Sequence, residues 1–114
     1  APYVAAKHGV IGLTRVAALE YADAGTRDSG GVTVNAICPG WVETALIEPQ
    51  IQARADKFNG DRVQGISDLL SEKQPSKRLA TTEDIGAVAV FLCSMAAHNI
   101  TGAAIPVDGG WTAQ

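Results

Sequence analysis

A tyrosine and a lysine lie four positions apart near the beginning of the sequence, at Tyr3 and Lys7. On an α-helix, residues at i and i+4 lie one above the other, so a phenol and an ammonium group can point into one cleft. A phenol titrates near pH ~10, and acid–base work at neutral pH requires its anion to be stabilised by about 3 pKa units, or about 4 kcal/mol. A neighbouring cation provides that stabilisation. The pair is suited to moving a proton to or from a carbonyl or alcohol oxygen, although the same spacing also fits a helix with an exposed lysine and a half-buried tyrosine.

A long helix is predicted to carry this pair. Pro2 suits the first turn, because its missing N–H would have no partner there. From Tyr3 to about Ala24 the sequence is rich in Ala, Leu and Val, and the apolar residues spread over more than one helical face. Because such a helix is usually buried on two sides, we expect α-helical structure with little exposed surface, ending in the turn-rich stretch Gly25 to Gly31.

The remaining elements follow from hydrophobic spacing and from turn residues. Val32–Ile37 is the best strand, being β-branched and bounded by Gly-Gly and Pro-Gly. A loop through Thr44 follows, and then two modest helices within residues 45–75. Another helix begins near Thr81, and a short strand covers Ala103–Val107. Helices that separate two strands predict an α/β unit with a parallel pair of strands, and a parallel pair alone is a poor core, so we expect further strands in the complete sheet.

Composition narrows the range of partners. The chain has 114 residues, of which 46% are apolar and 18% charged, so a packed core is expected. Net charge is −3 and the nine Lys and Arg residues are scattered, which argues against a nucleic-acid or anionic-membrane partner. Two cysteines are too few for a disulfide framework, and nothing near them is spaced like a metal site. We predict no metal and a reducing, cytoplasmic location.

Three motifs occur together and in order along the chain: Tyr3-x-x-x-Lys7, then Asn35-Ala36-Ile37-Cys38-Pro39-Gly40-x-Val42-x-Thr44, then Val107-Asp108-Gly109-Gly110. In combination they closely resemble the short-chain dehydrogenase/reductase family, over essentially the whole chain. The resemblance implies the C-terminal half of a single Rossmann-type domain with a doubly wound parallel sheet, and a mobile substrate lid at about 45–75. The family's glycine-rich phosphate loop, its NAD or NADP selector and its substrate-binding serine lie upstream of the tyrosine. We therefore expect these parts outside this chain, and no dehydrogenase activity from the chain alone.

The resemblance also implies a role for each matching residue. Tyr3 would protonate or deprotonate the substrate oxygen, and Lys7 would lower the tyrosine pKa and bind the nicotinamide ribose. Val42 would contact the nicotinamide carboxamide through its backbone, and Thr44 would contact carboxamide or phosphate through its hydroxyl. The cofactor residues implied are Tyr3, Lys7, Pro39, Gly40, Val42 and Thr44. The resemblance implies NAD as the cofactor, with NADP left open.

A narrower resemblance concerns the substrate. It is carried by the motifs Tyr3-Val-Ala-Ala-Lys7-His8-Gly9, Ile37-Cys38-Pro39-Gly40-Trp41-Val42, Glu72-Lys73-Gln74-Pro75-Ser76 and Asp108-Gly109-Gly110-Trp111-Thr112-Ala113. Together these are similar to family members that interconvert 3-hydroxybutyrate and acetoacetate. The similarity implies that Trp41, Gln50 and Trp111 help to form a pocket for a small hydroxy acid. Two indoles would narrow the site, and a glutamine N–H can donate to a carboxylate.

Two other functions stay open at this stage. One is reduction of a 3-oxoacyl or acetoacetyl thioester within the same family, although a thioester tail needs an open exit from the pocket. The other is a non-catalytic fragment that only self-associates, since an apolar helix and an unpaired strand edge both favour partners. In either case we expect a homo-oligomer, a homotetramer in the complete enzyme, formed through the first helix and the C-terminal strand.

Overall fold

The computed structural model describes all 114 residues. Its α-helices span Pro2–Glu20 (α1), Glu48–Ala55 (α2), Arg62–Ser71 (α3) and Thr82–Leu92 (α4). Its short strands span Gly25–Thr26 (β1), Gly30–Gly31 (β2), Ala36–Pro39 (β3) and Ala104–Val107 (β4). The predicted mixture of α and β structure is confirmed. None of the helices combines the length and the apolar character needed to cross a membrane.

The strands β3 and β4 are neighbours in one sheet. The Ala36 N–H donates to the Ala103 carbonyl at 2.8 Å, and four residues later the Gly40 N–H donates to the Val107 carbonyl at 3.0 Å. Because the bonded pairs advance in the same direction along both segments, the strands are parallel, as predicted.

The first of these strands starts later than predicted, since only the end of Val32–Ile37 belongs to it. Just before β3, one backbone bond, from the Gly102 N–H to the Val34 carbonyl at 2.7 Å, is accompanied by side-chain bonds. The Val34 N–H donates to the Thr101 hydroxyl at 3.1 Å, and the Asn35 amide donates to the Ile100 carbonyl at 2.8 Å.

The stretch Gly25–Gly31 forms a small antiparallel hairpin of β1 and β2, where only turns were predicted. Gly25 has φ +75°, and a Cβ there would lie 2.0 Å from the Gly30 carbonyl oxygen. Only glycine accepts both this backbone conformation and this close approach. The hairpin accounts for the length of the connection between α1 and the strand.

The chain divides into two compact units, Ala1–Ile37 with Ala87–Ile105, and Cys38–Gly86 with Pro106–Gln114. In the first unit, α1 ends at Glu20, four residues before the predicted end. Only Thr14 and Ala18 of this helix are buried, whereas Leu13 is 69% and Leu19 is 79% exposed. The expectation that α1 is buried on two sides is wrong for this chain, because the unit covers only the stripe that contains Ala18.

The second unit has its core in the segment predicted as a lid. Ile47, Ile51 and Leu69 form a buried cluster, against which Trp41, Ile66 and Leu79 pack. The helices α2 and α3 touch at Gly65, where an added Cβ would lie 2.7 Å from the Ala55 backbone nitrogen. Asp61 caps α3 by accepting hydrogen bonds from the N–H groups of Val63 and Gln64.

Candidate active site

The side chains of Tyr3 and Lys7 lie together on one face of the first turns of α1. The Lys7 Nζ atom is 5.3 Å from the centroid of the Tyr3 ring. Tyr3 is 72% exposed, so its hydroxyl is open to a ligand. The neighbouring His8 contacts the Val4 carbonyl through Nδ1 at 2.9 Å. The arrangement meets the first requirement of a proton-transferring Tyr–Lys pair, which is a shared face and an accessible phenol.

The loop that follows β3 is held on one side by residue 80. The Ala80 N–H donates to the Trp41 carbonyl at 3.1 Å, and the Glu43 N–H donates to the Ala80 carbonyl at 2.8 Å. These two bonds form a parallel bridge between Val42 and Ala80. In such a bridge the N–H and C=O of the central residue face the opposite side. Those of Val42 make no hydrogen bond within the chain and are available to a ligand.

Two more residues of this loop have chemistry that fits the predicted cofactor contact. Thr44 stands at the start of the 3-10 turn Ala45–Ile47, and its hydroxyl does not cap that turn. At Gly40, a Cβ would lie 2.6 Å from the Gln74 Oε1 atom and 2.9 Å from the Asp108 Cα atom. Pro39 ends β3 immediately before it. Glycine is required at position 40 because any larger side chain would collide with the segments that contain Gln74 and Asp108.

All three residues predicted to contact substrate line one pocket of about 330 Å³ in the second unit. Trp41 and Trp111 are half-buried, and Gln50 is exposed at the start of α2. The remaining lining residues are Ala53, Arg54, Leu69, Glu72 and Lys73. The structure therefore brings together side chains that are up to seventy positions apart in the sequence.

The pocket is lined by two cations, Arg54 and Lys73, and only one of them is paired with carboxylates. Arg54 pairs with Glu72 at 2.8 Å and with Asp68 at 3.1 Å. The hydrogen bond to Glu72 is the main cause that raises the pKa of the Arg54 guanidinium, and the bond to Asp68 adds to it. Lys73 makes no salt bridge, and its Nζ atom lies 5.3 Å from the centroid of a Trp111 ring. It is the cation of the pocket that no carboxylate engages.

Lys73 has no role in the expectations drawn from sequence. The signal was present, since Lys73 lies in the motif Glu72-Lys73-Gln74-Pro75-Ser76, but spacing alone does not bring it near Trp111.

For Gln50 the structure adds a constraint. In the amide orientation that matches donors with acceptors, its nitrogen donates to the carbonyls of Leu46 (3.3 Å) and Ile47 (3.1 Å). Both of its N–H groups are then engaged, and the oxygen remains as an acceptor.

The turn after β4 holds Trp111 in place. Asp108 is 8% exposed, and its carboxylate accepts bonds from the Gly110 N–H (3.1 Å), the Thr112 N–H (3.0 Å) and the Thr112 hydroxyl (2.8 Å). The Thr112 hydroxyl is the main cause that lowers the pKa of Asp108 below its ordinary value. The motif Asp108-Gly109-Gly110 is thus a structural turn that fixes one wall of the pocket. No cluster of three His, Cys, Asp or Glu residues is arranged to hold a metal ion.

Comparison with known proteins places these features in a family. A family model described as enoyl-(acyl carrier protein) reductase matches residues 1–112. The chain is 51% identical over 112 residues to D-beta-hydroxybutyrate dehydrogenase of Cupriavidus necator, a match that covers 98% of the chain and 41% of that relative. Among solved structures, a putative 2-deoxy-D-gluconate 3-dehydrogenase from Agrobacterium tumefaciens with bound NADP is 42% identical with a TM-score of 0.71, covering 98% of this chain and 39% of the other. For 4-hydroxyisoleucine dehydrogenase complexed with NADH, the identity is 31%, the TM-score is 0.73, and the coverage is 98% of this chain and 40% of the other.

These matches agree with each other in fold and in extent. The chain spans about 41% of the length of the curated relative, and 98% of the chain is included in that match. Its α/β architecture is shared with Rossmann-type dehydrogenases, of which it covers 39% and 40% in the two structures above. On the matched family model, the sequence identity and the shared fold, the chain belongs to the short-chain dehydrogenase/reductase family.

Proposed function

We propose that this chain is the catalytic and substrate-binding portion of a nicotinamide-dependent oxidoreductase that interconverts 3-hydroxybutyrate and acetoacetate. The observation that carries the proposal is the accessible phenol of Tyr3 beside the Lys7 ammonium group on one face of α1. The name of the Cupriavidus necator relative supports the choice of substrate.

In this proposal Tyr3 moves the proton. During reduction its hydroxyl donates to the oxygen of the keto group as that oxygen gains negative charge, and during oxidation the phenolate accepts the proton of the alcohol. The positive charge of Lys7, whose Nζ atom lies 5.3 Å from the centroid of the Tyr3 ring, is on the same helical face as the side chain that exchanges the proton. A phenylalanine at position 3 retains the ring and loses the hydroxyl that carries the proton.

The loop 39–44 has the chemistry to hold a nicotinamide. A carboxamide offers one acceptor and two donors. The acceptor matches the unpaired N–H of Val42, and the donors match the Val42 C=O and the Thr44 hydroxyl, which does not cap the turn that follows. When bound, the nicotinamide supplies or accepts the hydride at the substrate carbon. The descriptions of similar solved structures include bound NADP and bound NADH, which supports nicotinamide use, and NAD remains the preferred cofactor of the proposal.

The pocket lined by Trp41, Gln50 and Trp111 suits a small carboxylate through its indoles and Lys73, whereas the Gln50 amide, with both N–H groups engaged, offers the carboxylate no donor. Its two indoles provide apolar walls, and Lys73 provides a positive charge that is not neutralised by a neighbour. A hydroxy or keto acid of four carbons presents one negative charge to that ammonium group and an apolar chain to the indoles. The lid role of residues 45–75 belongs to the same proposal, because α2 and α3 carry much of the pocket lining.

A hybrid enzyme tests this function. Residues 1–112 of this chain replace the matching segment of the Cupriavidus necator relative, which supplies the rest of the length. We expect this hybrid enzyme to oxidise 3-hydroxybutyrate with NAD, and Tyr3→Phe to lower kcat by about 10²- to 10⁴-fold while NADH affinity stays nearly constant. Near-normal kcat in Tyr3→Phe would refute the assigned proton transfer.

The family model is described as a reductase of acyl-carrier-protein substrates, which favours a second candidate, reduction of a 3-oxoacyl or acetoacetyl thioester. The two substrates differ in charge at the pocket: the acid presents a carboxylate to Lys73, whereas the thioester presents a neutral group and a long tail. Parallel measurement of kcat/KM for 3-hydroxybutyrate and for its coenzyme A ester separates them. Higher kcat/KM for the ester would replace the first candidate with the second.

Self-association forms the last part of the proposal. The exposed apolar side chains of α1 include Val10, Leu13, Val16 and Leu19, and such a surface favours a partner. We propose a homo-oligomer in which this helix and β4 take part. Light scattering of the chain that gives a clean monomer mass would count against it.

A further inference from the structure

A single buried side chain, that of Gln74, connects three segments around the pocket. It is 2% exposed, although glutamine is usually found at protein surfaces. It lies three residues after the end of α3, and its own N–H donates to the Leu70 carbonyl at 2.9 Å. A polar group buried to this extent must have its hydrogen bonds satisfied by the chain.

Both ends of the Gln74 amide are satisfied by backbone groups. The Oε1 atom accepts from the Trp41 N–H at 3.0 Å, and the Nε2 atom donates to the Arg78 carbonyl. One of these partners belongs to the loop 39–44 and the other to the segment that continues to Ala80. Ala80 in turn is bonded to Trp41 and Glu43. The side chain thus reinforces the same bridge that leaves the Val42 backbone open to a ligand.

Two glycines show how closely the chain packs around this amide. A Cβ on Gly40 would lie 2.6 Å from the Gln74 Oε1 atom, and a Cβ on Gly109 would lie 2.6 Å from the Gln74 Cγ atom. The Gly109 carbonyl also accepts from the Ser76 N–H at 2.9 Å. The loop with Trp41 and the turn with Trp111 therefore both rest on this residue.

We propose that Gln74 is a positioning residue that holds the Trp41 wall of the substrate pocket and the Val42 backbone in register with the end of α3. This inference rests on the proposed function for its kinetic meaning, and on the contacts above for its structural meaning. Glutamine is suited to the task because one planar group presents an acceptor and a donor in opposite directions. Leucine has a comparable size and presents neither.

The kinetic test uses the hybrid enzyme with Gln74→Leu. We expect KM for 3-hydroxybutyrate and for NAD to rise by about tenfold, because the unpaired Trp41 N–H must turn toward water and carry the loop with it. kcat at saturation should change much less, since Tyr3 and Lys7 are untouched. Gln64→Leu, an exposed position on α3, is the matched control and should leave both KM values unchanged.

A second variant tests the hydrogen-bond pattern itself. In Gln74→Glu, the ionised side chain can accept from Trp41 but directs its other oxygen at the Arg78 carbonyl, whereas the protonated side chain restores both bonds. KM relative to the unchanged hybrid enzyme, measured across the acidic to neutral range, should be near one at low pH and rise as pH increases. A merely structural role would give a ratio that does not depend on pH.

An optical measurement separates failure of this inference from failure of the proposed function. The chain contains two tryptophans, so Trp111→Phe leaves Trp41 as the only indole reporter. In that background we expect Gln74→Leu to shift Trp41 emission to longer wavelength and to speed exchange of the Trp41 amide proton. Unchanged emission and exchange, or unchanged KM values in a folded Gln74→Leu hybrid, would overturn the inference. A hybrid enzyme that is inactive with Gln74 intact would refute the function alone, and the optical result would still decide the role of Gln74.

Discussion

Replacing Gly65 with alanine tests how closely α2 and α3 must pack to form the pocket. An added Cβ would lie 2.7, 2.8 and 2.9 Å from the N, Cα and Cβ atoms of Ala55, distances at which something must shift. Two of these three atoms belong to the backbone of α2, so no flexible side chain can move aside. The two helices must therefore separate, and the buried cluster of Ile47, Ile51 and Leu69 loosens with them.

The expected magnitude is a balance of two effects. Alanine is favoured over glycine inside a helix by about 0.5–1 kcal/mol. Overpacking a well-packed contact costs about 1–3 kcal/mol. Because the contact meets backbone, we take the upper part of that range and expect a net loss of about 1–2 kcal/mol in the free energy of unfolding.

Urea unfolding followed by tryptophan fluorescence measures this loss. Trp41 and Trp111 both belong to the unit that contains Gly65, so the signal reports on the affected part of the chain. The matched control is Gly86→Ala in α4, in the same unit, where nothing lies within 4 Å of an added Cβ. It should stabilise by about 0.5–1 kcal/mol. A Gly65→Ala chain that is as stable as the control would refute the packing argument.

Three further outcomes are expected. Lys73→Met in the hybrid enzyme should raise KM for 3-hydroxybutyrate by about tenfold and leave KM for NAD unchanged, because one charge-assisted contact is lost; equal KM values would remove Lys73 from substrate binding. The lowered pKa of Asp108 means that its carboxylate stabilises the folded chain fully above its ordinary pKa of 3.8 and that this contribution is lost as pH falls through the lower folded-state value. Asp108→Asn should therefore reduce stability near neutral pH and flatten its acid dependence in urea titrations, whereas parallel acid profiles for both chains would contradict the assignment. The chain without the remaining length of its relatives should show no dehydrogenase turnover, and normal turnover from the 114-residue material would contradict the predicted need for upstream parts.

Local geometry explains which sequence predictions are confirmed. The shared face of Tyr3 and Lys7 follows from helix periodicity alone, because residues four positions apart always lie near each other on a helix. The parallel pairing of β3 and β4 follows from helices that separate two apolar segments. Both inferences use contacts whose spacing is set by the chain itself.

The exposure of α1 and the late start of β3 depend on contacts with distant parts of the chain, which local sequence does not specify. The burial of Leu13 or Leu19 depends on what covers the helix, and periodicity identifies an apolar face without supplying its cover. The bonds of Val34 and Asn35 to the segment near Thr101 depend on where a distant part of the chain lies. The secondary-structure propensity of a short stretch of sequence indicates neither what covers α1 nor where the segment near Thr101 lies.

The pattern of residues by itself predicted a phenol and an ammonium group on one face of a helix, a loop that contains glycine, and the family to which the chain belongs. Tertiary structure alone decided that Lys73 lies over Trp111 and that Gln74, thirty-three positions from Trp41, holds its backbone. The physical reason is that these contacts join segments far apart in sequence, whose meeting is set by the packing of α2 on α3 and by the turn at Asp108. The spacing of residues along the sequence therefore does not predict that Lys73 lies near Trp111 or that Gln74 lies near Trp41.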